Sequence, residues 1–214
     1  MAFRIISFNQ NKRSGFKFAS NIRIAVGYGR MSAKRVLGVA GMPGAGKSLI
    51  TYIAQRMGYS IVVMGDVVRE ETTKRGLTLT PENVGALMLK LRDEEGPAVV
   101  AKRCVLKIQN AKSAVVVVDG LRSLYEVEEY KRHFRDFVII AIHASPETRF
   151  QRLFRRKRSD DPQGWQSFRQ RDTRELSVGL GNVVATADYM IVNEGPKVQT
   201  ETQIHNLLRE VTRK

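Results

Sequence analysis

The residues Gly41-Met42-Pro43-Gly44-Ala45-Gly46-Lys47-Ser48 follow directly on the apolar run Val36-Leu37-Gly38-Val39-Ala40. The order is strand, glycine-rich turn, helix start. The eight residues fit the G-x-x-x-x-G-K-[ST] phosphate-binding pattern in full. Glycines let backbone N–H groups approach phosphate oxygens, and the helix that follows turns its positive end toward the same anion. Lys47 is placed to reach the β- and γ-phosphates of a nucleotide as a point charge. Ser48 is placed to offer its hydroxyl to Mg²⁺.

Two further constellations carry carboxylates. Val115 to Val118 form an apolar run that ends in Asp119-Gly120. A carboxylate at the end of a buried strand is where the Mg²⁺ of a bound nucleotide is held, usually through water. Met64-Gly65-Asp66-Val67-Val68-Arg69 also closes an apolar run. Asp66 and Arg69 are three apart, so a helix beginning here puts both on one face. Asp66 suits ordering water around Mg²⁺ or accepting a proton, and Arg69 suits forking onto a phosphate. A turn aspartate before glycine and a capped helix with a solvated arginine are the bland alternatives for these two sites.

A basic segment follows. Arg149, Arg152 and Arg156 share a helical stripe beside the apolar stripe Phe150, Leu153 and Phe154. Lys157 and Arg158 come next, then Ser159-Asp160-Asp161-Pro162, then Arg169, Arg171 and Arg174. This pattern predicts a cover that closes over phosphates, neutralises the transferring group and excludes water. A solvated charged helix pair and a nucleic-acid surface are the competing readings of the same residues.

The elements that must position these groups alternate. The expected strands are Val36–Ala40, Ile61–Met64, Ala114–Val118, Phe137–Ile142 and Tyr189–Val192, with helical patterns between them. That order points to an α/β fold with a five-stranded parallel sheet covered on both faces. Thr80-Pro81 and Ser145-Pro146-Glu147 read as helix starts. Val84, Leu87, Met88 and Leu91 form one apolar stripe, ended by Gly96-Pro97; Ile204, Leu207, Leu208 and Val211 form another. In a parallel sheet the strand carboxyl ends gather on one edge, so Asp119 and the phosphate loop meet there.

Composition sets the frame. The chain has 214 residues, with 43% hydrophobic and 27% charged, ordinary for a folded domain. No apolar run is long enough to span a bilayer, so no membrane partner is expected. The single cysteine, Cys104, lies in a helical-looking stretch and reads as a core residue. His133, His143 and His205 have no metal-ligand spacing. The expectation is a soluble cytoplasmic protein without structural metal. Nothing in the sequence fixes an oligomeric state.

The formal net charge is +15, unevenly spread: no acid precedes Asp66, and residues 1–35 hold eight Lys or Arg. Residues 1–35 read as a basic extension, disordered from Met1 to about Gly29, with Met31 a candidate functional start. An organelle-targeting leader lacks an amphipathic run here, and a nucleic-acid-binding tail is weakly supported. The remaining domain is 36–214.

Together these residues resemble adenylate kinase and its relatives, the nucleoside-monophosphate and dephospho-CoA kinases, over roughly 36–193. Gly41–Ser48 is similar to the adenylate-kinase loop, with its Pro-Gly-Ala-Gly-Lys core. Gly65-Asp66-Val67-Val68-Arg69 resembles that family's Gly-Asp-x-x-Arg, which implies that Arg69 holds an acceptor phosphate. Asp119-Gly120-Leu121-Arg122 resembles Asp-Gly-x-Pro-Arg without the proline and with the arginine one place early, which implies Arg122 as a second acceptor ligand. Arg152 and Arg156 resemble the paired lid arginines, which with Lys47 and Asp66 form the implied catalytic set. Ala187-Asp188-Tyr189-Met190-Ile191-Val192-Asn193 is similar to a dephospho-CoA kinase stretch that places Asn193 near the adenine.

Residues 36–213 resemble most closely an uncharacterised archaeal group of P-loop kinase-like proteins, on Met-Gly-Asp-Val-Val-Arg-Glu-Glu, Asp-Gly-x-Arg-Ser and His-Ala-Ser-Pro. The resemblance implies a three-layer P-loop NTPase fold with a short helical lid at about 155–175 and no zinc cysteines. The implied cofactors are ATP and Mg²⁺. The implied activity is γ-phosphoryl transfer to a nucleoside monophosphate, with a dephospho-CoA-type hydroxyl as the alternative acceptor. An ATP-dependent switch acting on RNA or a protein partner is the reading of a different class.

Overall fold

The structure is a computed structural model that describes residues 32–157 and 161–213. In chain order the elements are β1 (Ser32–Ala40), α1 (Lys47–Arg56), β2 (Ser60–Val63), α2 (Met64–Lys74) and α3 (Pro81–Glu95). Then come α4 (Val99–Gln109), β3 (Val115–Asp119), α5 (Leu124–His133), β4 (Phe134–His143) and α6 (Pro146–Arg156). The chain continues with α7 (Trp165–Val178), α8 (Leu180–Ala185), β5 (Tyr189–Val192) and α9 (Lys197–Thr212).

The strands form one parallel sheet in the order β2-β3-β1-β4-β5. Helices cover both faces, giving three layers. Alternate residues of β1 explain why both faces are apolar. Val36 and Ala40 join the core built with Val68 of α2, Leu91 of α3, Cys104 of α4 and Tyr130 of α5. Leu37 and Val39 join the core built with Ile50 and Ala54 of α1 and Ile204 and Leu208 of α9. A strand buried on both sides reads as a continuous apolar run, as its sequence does. Thr80 caps α3 by accepting from the Asn83 amide at 3.2 Å, and Ser145 caps α6 by accepting from the Thr148 amide at 3.3 Å.

Register then places the chemistry. Val39 of β1 and Val63 of β2 both lie beside Asp119 at the end of β3, and Ala40 lies beside Ala141 of β4. The phosphate loop, Asp119 and the start of α2 therefore leave the sheet at one edge.

Three expectations shift. Met64 opens α2 rather than ending β2; the apolar run Val62-Val63-Met64 hides the change because Val63 caps the helix without a side-chain bond. β1 begins at Ser32, so Ser32–Arg35 belong to the sheet and not to an extension. The reason is specific: Arg35 pairs with Asp136 and donates to the Val211 carbonyl, and Lys34 Nζ donates to the Ala111 carbonyl at 2.5 Å and that of Ser113 at 2.8 Å. Phe154, placed on the apolar stripe of α6, is exposed, whereas Leu153 is buried. The rest of the expected extension, residues 1–31, lies outside the described residues.

The expected lid corresponds to the end of α6 and most of α7, with Arg158, Ser159 and Asp160 outside the described residues. Phe150 of α6 meets Trp165 of α7 edge-on at 5.1 Å and Phe168 at 5.6 Å, which packs the two helices together. Among the described residues no helix is long and apolar enough to cross a membrane.

Candidate nucleotide site

The loop between β1 and α1 is held open by its glycines. Gly44 and Gly46 have φ of +82° and +112°. A Cβ on Gly44 would lie 2.7 Å from the Arg149 carbonyl, and one on Gly46 would lie 2.4 Å from Asn193 Nδ2. Side chains at either place would push the loop off its supports. The Ala45 amide closes the turn onto the Met42 carbonyl at 3.1 Å. α1 then begins at Lys47 with no side-chain cap, so its first-turn amides and positive end face the loop. Lys47 Nζ curls back to the Gly41 carbonyl at 2.6 Å and the Met42 carbonyl at 3.3 Å, while Ser48 beside it is exposed.

Asp119 stands across from Lys47. Its Oδ1 is buried without a hydrogen-bond partner. Burial raises the Asp119 carboxyl above its ordinary range; Lys47 and Arg122 work against that, and the Asp66 carboxylate adds to it. Burial likewise lowers the Lys47 ammonium, against the pull of Asp119 and Glu175. An orphaned carboxylate oxygen facing an ammonium, with a serine hydroxyl next in sequence to that ammonium, fits the water-mediated holding of Mg²⁺. Among the described residues no group of three or more His, Cys, Asp and Glu forms a protein-only metal cage. A cation here needs phosphate oxygens to complete its shell.

On the β2 side, Asp66 and Arg69 form an ion pair at the surface, with the Arg69 guanidinium beside Gly65. Arg122 reaches out from the loop after β3. Its Nη1 donates to Met88 Sδ of α3 at 3.2 Å, and its Nε lies 3.6 Å from Glu175 Oε2 of α7. The loop under Arg122 is fixed by fully buried Glu126, whose Oε2 accepts from the Arg122 amide at 2.7 Å and the Ser123 amide at 3.3 Å. Glu126 Oε1 accepts from Arg92 Nη2 of α3 at 2.8 Å, so α3 and this loop are tied by one buried pair.

Arg149, Arg152 and Arg156, three of the four arginines of α6, do different work. Arg149, expected to face phosphates, is 4% exposed. It donates to Asp172 of α7 at 2.8 and 2.5 Å, to the Ala144 carbonyl at 3.1 Å and to the Pro43 carbonyl at 3.2 Å. It is a brace behind the loop. Arg152 donates to the Asn193 carbonyl at 2.9 Å and reaches the Ala45 carbonyl at 3.5 Å. Arg156 forks onto Asp161 at 2.9 and 2.5 Å. Asn193 is itself buried; its Nδ2 donates to the Ala45 carbonyl at 2.8 Å and its Oδ1 accepts from Thr200 at 3.0 Å. Its amide supports the loop from below.

Beside the loop, Ser48, Tyr52, Arg152, Asn193 and Lys197 line a cleft of about 450 Å³. Tyr52 and Lys197 carried no motif. The available signal was spacing alone: Tyr52 lies just over one turn past Lys47 on the same helix. Glu126 announced itself only as the third helical residue after Ser123, a capping-box spacing.

Comparison with known proteins identifies the family and the fold. A family profile described as "AAA domain" matches residues 40–169. A UPF0200 protein of Hyperthermus butylicus is 51% identical over 174 residues, covering 81% of this chain and 93% of that protein. A UPF0200 protein of Methanothermobacter thermautotrophicus is 45% identical over 179 residues, covering 84% and 92%. Among solved structures, TT1252 from Thermus thermophilus superposes with a TM-score of 0.57 at 18% identity, covering 84% of this chain and 98% of that one. Shikimate kinase from Acinetobacter baumannii superposes with 0.51 at 18% identity, covering 85% and 96%. At such identities the structural likeness speaks for the fold, which is that of P-loop kinases. The chain belongs to the UPF0200 family and is built on an AAA-type, P-loop kinase-like domain.

Proposed function

We propose that this protein is an Mg-ATP-dependent phosphotransferase that moves the γ-phosphoryl group to a small nucleotide-like acceptor, with a nucleoside monophosphate as the leading class. One observation carries the reading. Lys47 and Asp119, with its orphaned buried oxygen, flank the uncapped start of α1 inside a complete phosphate-binding loop. The donor's phosphates rest on the amides of Gly44 to Ser48, and its base enters the cleft between Tyr52 and Arg152. Ser48, and Asp119 through water, would hold Mg²⁺, which would supply charge neutralisation to the donor's phosphates.

Lys47 releases its contacts to the Gly41 and Met42 carbonyls and turns onto the β- and γ-phosphates. Arg69 and Arg122 anchor the acceptor phosphate, and Arg152, with Arg156 if it leaves Asp161, shields the transferring charge from the lid. An acceptor phosphate oxygen attacks the γ-phosphorus in line, and the bond to ADP breaks. An ionised phosphate nucleophile needs no strong base. A cytoplasmic setting belongs to the same proposal.

The second reading is a hydroxyl acceptor of the dephospho-CoA type. It is supported by Asp66, whose carboxylate lies close enough to Asp119 to act on it, where a base would take a hydroxyl proton. The shikimate kinases among the structural neighbours keep this alternative in view.

The test incubates purified protein and Lys47→Ala with Mg-ATP and a panel of nucleoside monophosphates and dephospho-CoA. A monophosphate phosphorylated by the wild type alone supports the leading reading, and Asp66→Asn then loses only a modest part of the rate. Phosphorylated dephospho-CoA with near-abolition in Asp66→Asn selects the second. Turnover that yields only inorganic phosphate and rises with added RNA or protein removes the kinase assignment and leaves a switch.

A further inference from the structure

We propose that Glu175 is a specificity-determining residue of the acceptor site: a lid carboxylate that stands in the acceptor's anionic place on Arg122 until an acceptor phosphate displaces it. The proposal rests on the phosphate-acceptor reading above and adds how the site selects that class.

The placement comes from α7. Asp172 and Glu175 are three residues apart and share a helix face. Asp172 is locked to Arg149, which also holds the Pro43 carbonyl of the phosphate loop. The face bearing Glu175 is therefore fixed toward the loop. Glu175 is mostly buried, with 16% of its side chain exposed, and its Oε2 lies 3.6 Å from Arg122 Nε. The Arg122 guanidinium also meets Met88 of α3, and its backbone amide is held by Glu126. The Glu175 charge is also felt at Lys47. One carboxylate thus occupies the place on the acceptor-side guanidinium, and its charge reaches the donor-side ammonium.

An acceptor phosphate cannot share that space with a carboxylate, since like charges repel and each competes for the same donors. It must break the Arg122–Glu175 pair, and its greater charge lets it do so. A neutral acceptor, or water, brings no charge with which to displace Glu175. The pair discriminates by a repulsive element as well as an attractive one.

The experiment measures binding of AMP, CMP, GMP, UMP and inorganic phosphate by calorimetry to the full chain. The proteins are wild type, Glu175→Gln, Glu175→Ala, Arg122→Ala and the Glu175→Gln/Arg122→Ala double variant. The expected result is that both Glu175 variants bind the preferred monophosphate roughly three- to fivefold more tightly, the scale of a partly exposed ion pair. The gain vanishes when Arg122 is also removed. Unchanged or weaker affinity in the Glu175 variants, with a monophosphate still bound and phosphorylated by the wild type, overturns the Glu175 assignment alone. Absence of binding to any of the folded proteins overturns the acceptor reading and this inference with it.

Discussion

Arg149 on α6 grips Asp172 on α7 through two parallel hydrogen bonds, and the same guanidinium reaches the Pro43 carbonyl of the phosphate loop. The fork lies 4.9 Å over the Phe168 ring, so one side chain joins the loop, the lid helix and the aromatic seam between the two helices. A planar guanidinium can satisfy all these partners at once, and an ammonium cannot.

Removing Arg149 therefore tests a brace rather than a catalyst. Arg149→Met leaves the Asp172 carboxylate, only 16% exposed, without its partner. The expected cost is about 3–5 kcal/mol of stability. Arg149→Lys recovers little of it. Arg149→Met/Asp172→Leu recovers most, because no unpaired charge remains. Urea unfolding of the four proteins measures this. A loss in Arg149→Met no larger than that of an exposed arginine would remove the brace.

The loop itself predicts a second result. Gly46→Ala sets a methyl 2.4 Å from Asn193 Nδ2 at a φ of +112°. An alanine in the left-handed region costs about 1–2 kcal/mol before any clash. The Asn193 amide must move, and with it the bond that holds the Ala45 carbonyl. The expected outcome is a lowered melting temperature together with at least about tenfold weaker ATP binding by calorimetry. Gly58→Ala is the control: it also has positive φ, +82°, but meets nothing within 4 Å, so it strains the chain without touching nucleotide affinity.

A third prediction concerns Cys104, fully buried in α4. Burial pushes its thiol up to about 11. The thiolate is the reactive form, so at pH 8 the folded protein resists alkylation by iodoacetamide, while protein in urea is labelled at once. Labelling of the native protein at the rate of the unfolded chain would place this thiol outside the core.

These examples mark how far the sequence was readable. β-branched runs predicted all five strands, because strands covered on both faces need no alternation to be recognised. The phosphate loop and Asp119 were legible because local order and sheet topology together determine where they meet. What stayed hidden is pairing across distance. A stripe of Arg149, Arg152 and Arg156 says that they share a face, but not that Asp172, Asn193 and Asp161 wait on it. Lys34 and Arg35 looked like part of a charged tail because composition carries no register; only the fold reveals Asp136 and the carbonyls of Ala111 and Ser113 as their partners. Glu175 lay in a run of charges, and its place beside Arg122 exists only once α7 is packed.

The last prediction follows from the buried charges of the site. Burial raises Asp119 above its ordinary 3.8, so the folded protein binds a proton there more readily than the unfolded chain does. Between the two values folding takes up protons, and this group's contribution to stability falls as pH rises through that window. Lys47 runs the other way: burial lowers it below 10.5, the unfolded chain binds more protons, and its contribution rises with pH through the window beneath 10.5. Burial works against the charged form of both groups. Asp119→Asn removes the carboxylate but leaves a buried amide to be satisfied and takes from Lys47 the countercharge that offsets its burial. Its expected effect is a lower melting temperature for nucleotide-free protein near pH 7, by about 2–4 °C for each kcal/mol lost. Mg-ATP then adds stability to the wild type through binding to the folded state and adds much less to Asp119→Asn. Thermal scans of both proteins, with and without Mg-ATP, measure the two effects together; an equal ligand-induced shift in both would detach Asp119 from the cation.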